Sequence, residues 1–168
     1  MASGSLAAPQ DCFLFTSECL DEGHPDKLAD LVCDAVLDAC LAQDPDSKVA
    51  CEACVAPGLV VLLGEVTTQA KVEFEAVVRE VCRRVGYDST DGDLDYRSVE
   101  VLSRLEAQSP DLAQAVHGHF TKAEEDLGAG DQGQAVGYAS DESPELMPLT
   151  QLLAAGMARR LAAARAEG

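Results

Sequence analysis

Apolar residues recur at Leu28, Leu31, Val32, Ala35, Val36 and Ala39, the i, i+3, i+4, i+7 spacing of a helix with one buried face. Pro25 suits the first turn of that helix, and Asp44-Pro45-Asp46 is a turn signal that ends it near Gln43. The pattern then changes period. Residues 48–56 and 59–69 predict two strands joined by Pro57-Gly58, a hairpin turn pair. The second strand opens on a continuous apolar run from Leu59 to Leu63, passes Gly64 and sets Glu65 among apolar neighbours.

The remaining elements are shorter. An apolar run over 12–17 predicts a leading strand. Val72, Ala76, Val77, Val81 and Val85 predict a second amphipathic helix over 71–85, stopped by Gly86. Residues 87–96 are rich in Asp, Ser and Gly and predict a loop. A strand over 98–107, a short helical turn over 111–116, an acidic loop over 124–133 and a strand over 134–139 follow. An Ala/Leu-rich helix over 148–165 closes the series, with a basic last turn that suits the helix dipole. The order β-α-β-β-α-β predicts an α+β sheet with helices on one face.

Composition narrows the function. The 168 residues suffice for one domain with a real core, and 47% are apolar. Aromatics are only 4%, so Val, Leu and Ala must build that core. With 30 acids against 12 bases the net charge is −18, which argues against nucleic acid or an anionic membrane as partner. Any bound polyphosphate would need added cations. No apolar run approaches the ~20 residues that span a bilayer. Residues 1–11 lack the basic and apolar regions of a secretory signal and predict a disordered tail, followed by a folded region over 12–168. Seven cysteines, an odd number, then predict free thiols in the cytoplasm.

The densest chemistry lies in Phe13 to Lys27, FLFTSECLDEGHPDK. Glu18, Asp21, Glu22, His24, Asp26 and Lys27 crowd around Gly23 and Pro25 and run straight into the first helix. A proton donor, carboxylates and an ammonium at a helix start are the makings of a metal–phosphate site. Cys51 and Cys54 have CxxC spacing, but on a strand i and i+3 point to opposite faces, which disfavours a zinc or redox pair. His117 and His119 flank Gly118 and read as a solvated pair.

These segments, together with LLGEVTT, AQSPDLAQAV, EEDLGAGDQGQAVGYASDE and MPLTQLLA, resemble S-adenosylmethionine synthetase (methionine adenosyltransferase), collinearly from about Phe13 onward. GHPDK and GAGDQG at this separation are the most specific of the matches. The resemblance implies ATP and L-methionine as substrates. The methionine sulfur attacks C5′ of ATP and displaces triphosphate, which is hydrolysed to phosphate and diphosphate. It implies His24 as the group that assists the departing oxygen, with Lys27 and Asp131 also on ATP. Asp26 and Glu18 would hold Mg²⁺, and Glu52 would hold K⁺. Glu65 and Gln108 would grip the ammonium and carboxylate ends of methionine. It also implies a homo-oligomer, dimer or tetramer, with sites where two subunits meet.

Each residue also has a plainer reading. His24 before Pro25 could simply cap the helix, and Asp26 could simply complement its dipole. Glu65 could face solvent, Glu52 could be an exposed strand residue, and Gln108 a loop amide. GAGDQG lacks the Lys that follows a P-loop. The sequence also departs from the family at Ala56-Pro57-Gly58, where Lys-Thr-Gly is usual, and at Cys19-Leu20, where a small pair is usual. It ends at Gly168, ahead of the family's next ATP motif and of its later basic residues. The expectation is therefore the N-terminal portion of such an enzyme, with a non-catalytic paralogue that binds a full-length subunit as the alternative.

Overall fold

The computed structural model describes residues 12–90, 92–118, 121–129 and 133–168. The chain divides into two compact units. One is continuous, Glu22–Ala135; the other joins the chain up to Asp21 with Val136–Gly168.

The continuous unit is α+β. Helix α1 (Pro25–Leu41) leads into the hairpin β1 (Lys48–Ala56) and β2 (Leu59–Thr67), then α2 (Phe74–Val85), β3 (Glu100–Glu106) and the short α3 (Pro110–His117). The sheet order is β1-β2-β3, with β1 antiparallel and β3 parallel to β2. The two-residue turn sets the hairpin register: Ala56 pairs with Leu59, and the ladder runs out to Lys48 opposite Thr67. Gly58, at φ 68°, takes the left-handed position that Pro-Gly turns require.

Alternation divides the sheet into two faces. Val49, Cys51, Ala53 and Val55 share a face with Val60 and Leu62 of β2 and Val101 and Leu105 of β3, and α1 and α2 cover it. Leu28, Val32 and Val36 of α1 and Val78 and Cys82 of α2 are fully buried there with Val60 and Leu62. Burying each such side chain contributes about 1.5–3 kcal/mol. The opposite face carries Lys48, Ala50, Glu52 and Cys54 across from Thr67, Glu65, Leu63 and Val61. Cys51 and Cys54 accordingly lie on opposite faces, and Cys54 is exposed. Burial, and then the neighbouring Cys51 thiol, push the Cys33 thiol up to about 12, so both thiols are packing groups rather than nucleophiles.

Two predicted strands do not form. Residues 12–17 and 133–140 are irregular, and their apolar side chains are open: Phe13 is 83% and Val136 86% exposed. A strand needs a neighbour for its backbone donors and acceptors, and the described residues of this second unit contain no sheet edge to supply one. Its regular element is α4 (Leu149–Glu167), tied to the leading segment by Ser17 Oγ and Thr150 Oγ1 at 2.8 Å. Boundaries shift elsewhere for local reasons. Strand β2 stops at Thr67 because Thr68 and Gln69 turn to bond Asp44. Helix α2 starts at Phe74 because the Lys71 backbone is bonded at both its N–H and its C=O by the Gln43 amide. No helix among the described residues is long and apolar enough to cross a membrane.

Candidate active site

The turn between α1 and β1 is locked onto the end of β2. Asp44 accepts hydrogen bonds from the Asp46 N–H at 3.1 Å, the Thr68 hydroxyl at 3.1 Å and the Gln69 N–H at 2.8 Å. Ser47 donates to the Asp44 carbonyl at 2.7 Å and lies 2.6 Å from the Thr68 hydroxyl. The bond from Gln69, with those from Asp46, Thr68 and Ser47, holds the Asp44 carboxyl below its usual range. This network fixes where β1 begins, and therefore where Lys48 and Ala50 stand relative to β2.

Beside it opens a cavity of ≈520 Å³. Glu65 and Gln108 line it together with Lys48, and Leu37, Leu41, Val116 and Leu127 provide an apolar wall. Gln108 is held by its main chain, whose N–H donates to Thr67 Oγ1 at 3.2 Å. Its side-chain Oε1 is buried and has no hydrogen-bond partner among the described residues. A buried amide acceptor left unpaired costs about 1–3 kcal/mol, so this atom is a place where a ligand's donor is strongly favoured. Glu65 owes its position to Gly64, which sits at φ 123° opposite Cys51. A Cβ there would lie 2.1 Å from the Ala50 carbonyl oxygen, so only glycine lets the strands approach at this point.

His24, Asp26 and Lys27 gather at the N-terminus of α1. His24 is the N-cap, and its Nδ1 accepts the Asp26 N–H at 3.2 Å. With Nδ1 occupied as an acceptor, a neutral imidazole carries its proton on Nε2, where it can be donated outward. The preceding carbonyl of Gly23 accepts from the Tyr87 hydroxyl, which pins this turn to the loop after α2. Asp26 and Lys27 are exposed in the first turn. These three residues line none of the described cavities, whereas Glu65 and Gln108 share one.

The other expected residues stand apart. Glu52 is exposed on β1, opposite Leu63 on the open sheet face. Glu18 is exposed and belongs to the second compact unit, and Asp131 lies outside the described residues. Among the described residues no three His, Cys, Asp or Glu side chains converge as a metal cage would require. Single carboxylates such as Asp26 and Glu52 do not by themselves make a Mg²⁺ or K⁺ site.

Profiles of known families match nearly all of the described chain. The S-adenosylmethionine synthetase N-terminal domain matches residues 12–110, and the central domain of the same enzymes matches residues 126–168. The chain belongs to the S-adenosylmethionine synthetase family. Residues 111–125, with most of α3 and the loop after it, lie between the two matches, and the two compact units divide further along, at Ala135. Residues 12–21 fall in the N-terminal domain match, yet they group in space with the segment matched to the central domain.

The sequence pattern gave no prominence to Lys48 or to the apolar wall of this cavity. Lys48 reads as the first residue of a strand, and Leu37, Leu41, Val116 and Leu127 as ordinary helix and loop residues. The signal was nevertheless present. A two-residue Pro57-Gly58 turn fixes the register, and that register sets Lys48 on the same face as Glu65.

Proposed function

We propose that this chain contributes the methionine subsite and the leaving-group donor of S-adenosylmethionine synthesis from ATP and L-methionine. The observation that carries this reading is the cavity shared by Glu65 and Gln108. An α-amino acid with an unbranched thioether side chain asks for an anion or acceptor near its ammonium, a donor near its carboxylate, and an apolar wall for its methylenes and sulfur. Glu65 and the unpaired Gln108 oxygen offer acceptors to the ammonium, the Gln108 amide N–H a donor to the carboxylate, and the leucine-rich wall an apolar surface, which matches those needs in kind.

The reaction joins the methionine sulfur to C5′ of ATP and breaks the C5′–O bond, so positive charge develops at sulfur and negative charge on the departing triphosphate. Holding sulfur and C5′ in line is worth several orders of magnitude in rate. A donor aimed at the departing oxygen lowers the barrier further. His24, with its Nδ1 occupied, offers its Nε2–H for that role, and Lys27 and the α1 N-terminus offer positive potential to phosphate oxygens. Hydrolysis of the triphosphate to phosphate and diphosphate completes the reaction. Magnesium and potassium use, and a homo-oligomer with sites shared between subunits, go with this reading through the family. Holding either ion would need ligands beyond the described residues.

The test is an assay of the purified chain, alone and with a full-length family member, following S-adenosylmethionine and phosphate from ATP and L-methionine with Mg²⁺ and K⁺ present. Product formation that depends on His24 supports the reading. Its absence in both arrangements contradicts it.

A further inference from the structure

Tyr87 is the first residue after the left-handed cap of α2, and its backbone is held on both sides. Gly86, at φ 97°, ends the helix, and the Tyr87 N–H donates to the Cys82 carbonyl at 2.9 Å. The Tyr87 carbonyl accepts from the Tyr96 N–H at 2.8 Å, and the Tyr96 carbonyl accepts from Arg79 of α2 at 2.7 Å. The half-buried Tyr87 ring packs against the core under α1 and α2. A phenol fixed in this way aims its hydroxyl in one direction, and that hydroxyl donates to the Gly23 carbonyl, 64 residues earlier in the chain. The Gly23 carbonyl shares one rigid peptide plane with the His24 N–H. On the other side, the His24 carbonyl accepts from the Leu28 N–H at 2.8 Å. His24 is thus clamped before and after, at φ −68° and ψ 137°. No regular element precedes Pro25 among the described residues, so the first clamp is not inherited from a strand.

We infer that Tyr87 is a positioning residue for His24: its bond to the Gly23 carbonyl sets the backbone from which the imidazole reaches the Asp26 N–H, and so keeps Nδ1 occupied and Nε2–H directed outward. The His24 bond to Asp26 is 3.2 Å, at the long end of the hydrogen-bond range, so a modest rotation of the Gly23–His24 peptide plane breaks it. Glycine has no side chain to restrict that rotation. The restraint comes from Tyr87, which α2 and the loop after it hold in place. This inference rests on the reading of His24 as the leaving-group donor and adds to it the source of the donor's direction.

The experiment is NMR of the isotope-labelled full chain and of Tyr87→Phe, which keeps the ring and removes only the hydroxyl. Spectra at about pH 8, where an imidazole is neutral, read which nitrogen of His24 is protonated and the nitrogen–nitrogen coupling across its bond to the Asp26 N–H. His24→Asn assigns the signals. The unsubstituted chain should show Nε2–H and the coupling. In Tyr87→Phe the coupling should vanish and the Asp26 amide should exchange about tenfold or more faster, while the amides of Val32 and Val36, buried in the same helix, keep their rates. A merely structural hydroxyl would move all three amides together or none of them. Either of those results, with the coupling retained, overturns the inference and leaves the reading of His24 intact. Nδ1–H in the unsubstituted chain overturns both. Should Tyr87→Phe unfold the chain, meta-fluorotyrosine in place of tyrosine keeps the ring and makes the hydroxyl a stronger donor. Asp26 should then exchange more slowly, and exchange at the original rate overturns the inference.

Discussion

The main-chain N–H of Asp26 donates to Nδ1 of His24 at 3.2 Å, so one imidazole caps α1 through one nitrogen and keeps the other for donation. The two roles can be separated. His24→Ala should lose the cap, costing about 1 kcal/mol of stability, together with any contribution to turnover. His24→Asn should keep the cap, because an Asn side chain accepts the same backbone bond, yet still lose the proton donor. Thermal melting and product formation, measured side by side, check this. An Asn variant that melts like the parent but turns over at least a hundredfold more slowly is the expected outcome.

Gly64 is the position where the hairpin leaves no room. Gly64→Ala places a Cβ against the Ala50 carbonyl and forces a side chain into φ 123°. The combined strain should cost about 2 kcal/mol or more, read as a lower midpoint in urea. Because Glu65 is the next residue, whatever folds should also bind L-methionine more weakly.

Acid sensitivity should centre on the turn that sets β1. The Asp44 carboxyl is held below its ordinary range by the Gln69 N–H and its companions. A depressed carboxylate contributes stability that is fully present above its unfolded pKa, near 3.9, and is lost as pH falls through its folded value. The melting temperature should therefore be insensitive to this group above about pH 5 and fall below about pH 4. Asp44→Asn should lower it at neutral pH and flatten the acid decline. An unchanged acid slope in that variant would show that another carboxylate governs it.

Glu65→Gln and Gln108→Ala should each weaken L-methionine binding by about tenfold or more, since each removes a partner of a charged ligand group. The mutations share one ligand and one cavity, so their effects should not add. Equilibrium titration of the two single variants and the double variant checks this. Full additivity would mean that the two side chains act on separate sites.

Most of the sheet and its helical cover could be read from residue order. The spacing from Leu28 to Ala39 gave α1, Pro57-Gly58 gave the hairpin and its register, and Gly86 gave the end of α2. Those signals are local: a helical period, a turn pair and a left-handed cap act within a few residues. The failures were non-local. An apolar run over 12–17 has strand composition, but a strand exists only where a partner strand accepts it, and the sequence of that run carries no information about the partner. The site divides the same way. His24 and Asp26 sit two residues apart and could be joined by inspection. Gln108 joins Glu65 and Lys48 only through the parallel pairing of β3 with β2 and its bond to Thr67, which residue spacing does not encode. The unpaired Gln108 oxygen is a property of packing and had no sequence signature.

The central claim, that the cavity flanked by Glu65 and Gln108 receives the amino-acid substrate, is tested most directly by crystallising the full chain with L-selenomethionine and locating selenium by its anomalous scattering. The account predicts one ligand selenium peak against Leu41, Val116 and Leu127, with the amino group on Glu65 and Gln108. Selenium bound elsewhere on the chain, with this cavity empty at saturating ligand, would contradict it.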